Sequence, residues 1–200
     1  MEISRKKEYL VEIGKKAIRV ISHYGVEHVS FKLISVATKI SLSKISDSFS
    51  NLDDLISFCL AMSFNDLSEN LLLKSKKRSH TMNNNVEAFW ITLVEFNTTH
   101  YHEGRLIAAY LKAPALYPLV YAKHCLAKSL DHEFEKTEHI LKRCNSDIRF
   151  IAFAYLFQMA NKVSIDLPNA IEMHGQLFMS DFYNEHVAYE LIRFTKLPIC

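Results

Sequence analysis

Glycine and proline are scarce, four of each in 200 residues, too few turn formers for a fold of many short strands. The glycine shortage also removes the material of a phosphate-cradling loop, and no glycine-rich dinucleotide fingerprint or GxSxG elbow is present. Cys59, Cys125, Cys144 and Cys200 are scattered with no CxxC pair, the pattern of reduced thiols rather than of a disulfide framework. No uncharged apolar run approaches the roughly 20 residues that span a bilayer. Met1 to Tyr9 is polar and basic with no apolar stretch behind it, so no secretory signal is expected. These absences predict a soluble, cytoplasmic chain that is not an enzyme, needs no cofactor and has no membrane partner.

What is present is apolar and aromatic. Hydrophobic residues make up 49% and aromatic residues 12%, with thirteen Phe and nine Tyr but a single Trp. That is ample for a buried core. Net charge is only +2, yet it is unevenly placed. Residues 1–50 hold nine Lys/Arg and five Asp/Glu, a local balance of +4, and the other 150 residues hold 15 and 17. A basic head on a mildly acidic body suits a polyanion at one end.

Along the chain the dominant period is helical. Leu10, Ile13, Ala17, Ile21 and Tyr24 recur every three or four positions from Arg5, and Gly25 sits where a helix end wants a positive φ. Ser30 is placed to cap a short helix carrying Phe31, Leu33, Ile34 and Ala37, and Ser41 to cap another running to about Phe49. Asn51 with Asp53 and Asp54 opens a longer helix, its acids facing the positive dipole end, to about Leu73. Lys74–Asn85 is polar and reads as an exposed loop, its four bases too thin a cluster for a targeting signal. Asn85 caps the next helix, with Phe89, Trp90, Leu93, Phe96 and His100. Further helices are expected over 103–111, 119–144 and 147–164, the last with Ile148, Ile151, Ala152, Tyr155, Leu156 and Met159 inward. A final one runs from Pro168 to about Lys196, bent near Gly175. The total is nine or ten helices and no strand: an all-α chain, divided into a head over 1–50 and a body over 51–200.

Two short helices separated by a three- or four-residue break form a helix-turn-helix, whose second member enters the major groove of DNA. The stretch Val26–Leu55 has that form. It resembles the TetR (tetracycline-repressor) family of transcription regulators in Gly25 closing helix 1, Val29-Ser30 opening helix 2, and Ile34 and Ala37 packing it. The likeness continues with Ile40-Ser41 entering helix 3, Ile45 within it, Phe49 closing it, and Asp53-Asp54-Leu55 opening helix 4. The resemblance implies that Ser30 and Ser41 meet phosphates and that Lys44 contacts DNA. Leu42, Ser43, Asp47 and Ser48 surround Lys44 on the groove side, with Lys32 and Lys39 adding general attraction. It also implies an effector site within helices 5 to 8 and a homodimer that reads a near-palindromic operator in double-stranded DNA. The chain departs from the family pattern at Lys39, where a glycine is usual, at Ser46 and Ser48 in place of aromatics, at Asp47 for a frequent His, and at Leu52 for a Lys. An acid on the groove face repels phosphates and favours only a cytosine amino group. A head that binds weakly, or a dimeric interaction protein that has lost DNA, is the alternative.

In the body, Trp90, Leu93, Phe96, His100, Tyr110, Tyr117, His124, Phe153 and Phe157 are candidates to line a pocket for a small apolar or aromatic effector, although each alone also suits a core. His100, His102 and Glu103, and His132, Glu133, Glu135 and His139, are the densest possible metal ligands. Neither group carries an HExxH or CxxC spacing, so no metal is expected.

Overall fold

The computed structural model describes residues 2–75, 85–112 and 146–168, with side chains over 8–73, 87–112 and 153–168. Among these residues there are seven α-helices and no strand. The all-helical expectation holds, but the count of nine or ten is not matched. The helices expected over 119–144 and 168–196, like the core of the polar loop, lie outside the described residues.

By packing the chain forms two compact units, residues 1–65 with 102–122, and residues 66–101 with 123–200. The first unit begins with α1, Glu2–Tyr24. Its buried stripe is Ile13, Ala17, Ile18 and Ile21. Leu10 is half-buried, and Tyr24, expected on the same stripe, is 47% exposed at the helix end. Gly25 stops the helix with φ 86° and donates its N–H to the Ile21 carbonyl at 2.9 Å. A 3-10 turn over Val26–His28 follows, a segment the helical period does not reveal.

Helix α2 spans Phe31–Thr38 and packs against α1. Its cap is as expected: the Ser30 hydroxyl accepts the Leu33 N–H at 3.2 Å. Eight residues make little more than two turns, so only a narrow stripe is buried. That stripe is Ile34, flanked by half-buried Phe31, Ser35 and Thr38. Ala37 lies on the opposite edge and is exposed rather than packed. Helix α3, Leu42–Ser48, packs on α2 through Ile45, fully buried. Helix α4, Leu52–Asn70, carries Asp53 and Asp54 in its first turn, and Asn51 Oδ1 accepts the Asp54 N–H at 2.8 Å. Leu55, Ile56, Cys59 and Leu60 are buried along it. It ends at Asn70, short of Leu73, and continues as a π-helical segment, Leu71–Ser75.

Helix α5 spans Asn85–Thr99, so Asn85 belongs to the helix itself. Helix α6 spans Tyr101–Lys112, two residues longer at its start than expected. Helix α7 spans Ser146–Asp166, with Ser146 inside it. In the second unit α5 packs on α7 and on the π segment. Residues 88–94, Phe96 and Asn97 are all buried, as expected of a helix apolar on every side. A polar crosslink joins the two helices. Asn161 Nδ2 donates to Asn97 Oδ1 at 2.8 Å, and the Ser164 hydroxyl lies 3.1 Å from the Val94 carbonyl. On α7, Phe153, Leu156 and Phe157 are buried, while Tyr155 and Met159, expected inward, are only half-buried.

Candidate nucleic-acid interface

The turn between α2 and α3 sets how α3 is presented. It consists of Lys39, Ile40 and Ser41, with Lys39 in the left-handed region at φ 59°, ψ 24°. It is the single non-glycine residue with positive φ among those described, a conformation costing roughly 1 kcal/mol for a side chain with a Cβ. Neighbouring hydroxyls hold the turn in place. Ser35 Oγ donates to the Ile40 carbonyl at 2.6 Å. Thr38 Oγ1 donates to the Ile34 carbonyl at 2.7 Å and accepts the Ile40 N–H at 3.3 Å. Ser35 and Thr38 lie outside the set of residues that the sequence pattern assigns to DNA contact. Their signal was present, since a Ser or Thr beside a helix end often bonds back to local backbone.

Helix α3 buries Ile45 and, just past its end, Phe49. Phe49 rests against Phe58 of α4, ring centres 5.5 Å apart, which anchors the C-terminal end of α3. The opposite side faces solvent: Ser43, Lys44, Ser46 and Asp47 are exposed, and Leu42 is 48% exposed. Ser30, Lys32, Lys39 and Ser41 are exposed as well, so the expected DNA residues share the accessible surface of the head, with Ser48 half-buried.

Their hydrogen bonds divide them by role. Ser41 occupies the capping position of α3, but its hydroxyl bonds no backbone N–H. It lies 3.3 Å from the Ser43 hydroxyl instead, and the Ser41 carbonyl accepts the Ile45 N–H at 3.3 Å. Ser46 donates to the Ser43 carbonyl at 3.0 Å and Ser48 to the Lys44 carbonyl at 2.8 Å, so both protons are committed within the helix. Lys44 leans towards α1: its ammonium lies 5.8 Å from the centre of the Tyr9 ring, within cation–π range. Glu12 is held below its ordinary carboxyl value of 4.5, chiefly by its bond and attraction to Lys16, with Lys44 adding a smaller pull. The Glu12–Lys16 pair, 2.9 Å apart, is exposed and contributes little stability.

The expected effector residues are distributed between the units. In the second, Trp90, Leu93, Phe96, Phe153 and Phe157 are completely buried. Phe157 lies 6.5 Å from Phe96 and 5.7 Å from Phe153, centre to centre. Half-buried His100 stacks on Phe96 at 4.8 Å, almost parallel, with Nδ1 2.9 Å from the Thr99 hydroxyl. Tyr110 belongs to the first unit, where its ring meets Phe64 edge-on at 5.8 Å. Tyr117 and His124 lie outside the described residues, as do His132 and His139. His102 Nδ1 is 2.7 Å from the Ser22 hydroxyl. A cleft of about 230 Å³ in the first unit is lined by residues 21–26 with Arg105, Leu106 and Ala109, none of them in the expected effector set.

No family model and no curated protein matches this sequence. Solved structures do. The fatty acid degradation regulator FadR from Bacillus halodurans superposes with a TM-score of 0.57 at 13% identity, over 85% of this chain and 93% of its own. RolR, determined in complex with resorcinol, gives a TM-score of 0.50 at 15% identity, over 99% of this chain and 98% of its own. At such identities the likeness is one of fold alone: this chain shares the helical fold of these two proteins.

Proposed function

We propose that this protein is a DNA-binding transcription regulator of the TetR type, a repressor acting as a homodimer on a near-palindromic operator. The observation that carries the proposal is the two-helix unit α2–α3, with Ile45 and Phe49 buried and Ser43, Lys44 and Asp47 turned to solvent. A second helix displayed in this way fits a major groove, and the basic balance of residues 1–50 supplies attraction for phosphates. The structural likeness to FadR and RolR supports a regulator. RolR binds resorcinol, and an aromatic effector for this chain agrees with the Phe, Trp and His side chains gathered on α5 and α7. Effector binding would release DNA by favouring one of two dimer states, with the reciprocal coupling that linkage requires. The protein so described is a cytoplasmic binding protein, not an enzyme, and requires no cofactor.

Fluorescence anisotropy with labelled DNA from upstream of its own gene tests the reading. Sequence-dependent binding whose log affinity falls linearly with log salt is expected; binding that is absent, or indifferent to both sequence and salt, defeats it. A second reading, a dimeric interaction protein that no longer uses DNA, is favoured by exposed Asp47 and by Lys44 leaning on Tyr9. Asp47→His or Leu52→Lys raises DNA affinity if the head is merely weak; no change with either supports true loss.

A further inference from the structure

The outermost face of α3 is made of Leu42, Ser43, Ser46 and Asp47, the last three sharing one face by their spacing of three and four. All are exposed, and Leu42 is the one apolar member. Lys44, the one basic residue of α3, holds its ammonium to the side of this face, over the Tyr9 ring of α1. The Ser46 hydroxyl has given its proton to the Ser43 carbonyl, which leaves its lone pairs outward. An ionised Asp47 carboxylate only accepts. The face therefore offers acceptors and one apolar side chain, and lacks the Arg or Lys fork that reads guanine.

In the major groove the donors are the cytosine N4 and adenine N6 amino groups, and guanine presents two acceptors. Adenine sets its N7 acceptor beside its amino group, where a carboxylate is repelled, so cytosine is the better partner. The apolar feature of the groove is the thymine methyl. Building on the DNA-binding reading above, we propose that α3 reads a cytosine amino group through Asp47 and a thymine methyl through Leu42, with no direct contact to guanine. Lys44 then serves the phosphate backbone and adds affinity without sequence preference.

Selection of random duplexes by the full-length protein, repeated at two salt concentrations, tests this. The expected sites carry one cytosine per half-site whose replacement weakens binding about tenfold. Asp47→Asn moves that preference to adenine, because an amide both donates and accepts at N6 and N7. Deoxyuridine in place of one thymine weakens the unaltered protein but not Leu42→Ala, whereas Lys44→Ala lowers affinity for all sites alike. Both Asp47 and Leu42 are exposed, and a thermal melt checks that the variants fold. Salt-sensitive enrichment of sites that lack the cytosine, or the same sites with Asp47→Asn, overturns the proposal and leaves DNA binding standing. No enrichment at either salt overturns both.

Discussion

Gly14 lies buried in the middle of α1, and its replacement by alanine sets two effects of known size against each other. Helix propensity favours alanine by about 1 kcal/mol. Packing opposes it. A Cβ on Gly14 would lie 2.6 Å from Met62 Sδ, 2.9 Å from Phe58 Cε1 and 3.2 Å from Phe58 Cδ1. Met62 can swing aside, since its thioether chain is flexible and half-buried. Phe58 is less free, because its ring also supports Phe49 at the end of α3. Overpacking of this kind costs typically about 1–3 kcal/mol, so Gly14→Ala is expected to destabilise the protein by about 1 kcal/mol net. For a chain of this size the melting temperature should fall by about 2–4 °C. Circular-dichroism melts of Gly14→Ala, Met62→Ala and the double variant measure it. The double variant should recover part of the loss, because the truncated side chain leaves room for the new methyl. A higher melting temperature for Gly14→Ala alone would show that propensity wins and refute the close approach of α1 and α4.

Other outcomes follow from single contacts. Lys39→Gly relieves the left-handed strain but adds freedom to the unfolded chain, for a net gain of about 0.5 kcal/mol read from the urea midpoint; Lys39→Val should lower that midpoint. Thr38→Val removes two hydrogen bonds at the turn and is expected to destabilise by about 1 kcal/mol, with faster amide exchange in α3. Burial pushes the Cys59 thiol from its ordinary value of 9.0 up to about 12, so it should resist a thiol reagent at pH 8 until the protein is unfolded. Because the folded state holds that proton more tightly, its stabilising contribution is complete below pH 9.0 and declines as pH rises from 9.0 towards 12. A denaturant series across alkaline pH that shows no such decline would count against the burial of Cys59.

The expected effector residues show where residue pattern stops being informative. Trp90, Leu93 and Phe96 are buried as their period suggests. A stripe of aromatics at helical spacing, however, is the same whether it fills a core or rims a cavity, since both demand an apolar face. The cleft beside Ser22 and Arg105 leaves no mark in the residue pattern for the opposite reason: its walls come from the end of α1, the turn that follows it and α6, and each helical wall alone looks like an ordinary amphipathic helix.

Sequence by itself determined the helical class, the cap at Ser30, the break at Gly25, the start at Asn51 and the packing of Ile34. Each of these depends on residues within about one helical turn, where period, side-chain hydrogen bonding and allowed φ act locally. Tertiary structure decided the rest: Gly14 closing on Phe58 and Met62, Lys44 pulled to Tyr9, Asn97 joined to Asn161 and Ala37 left in solvent. Those outcomes depend on which helix faces meet, and contacts between residues far apart along the chain leave no local period to read.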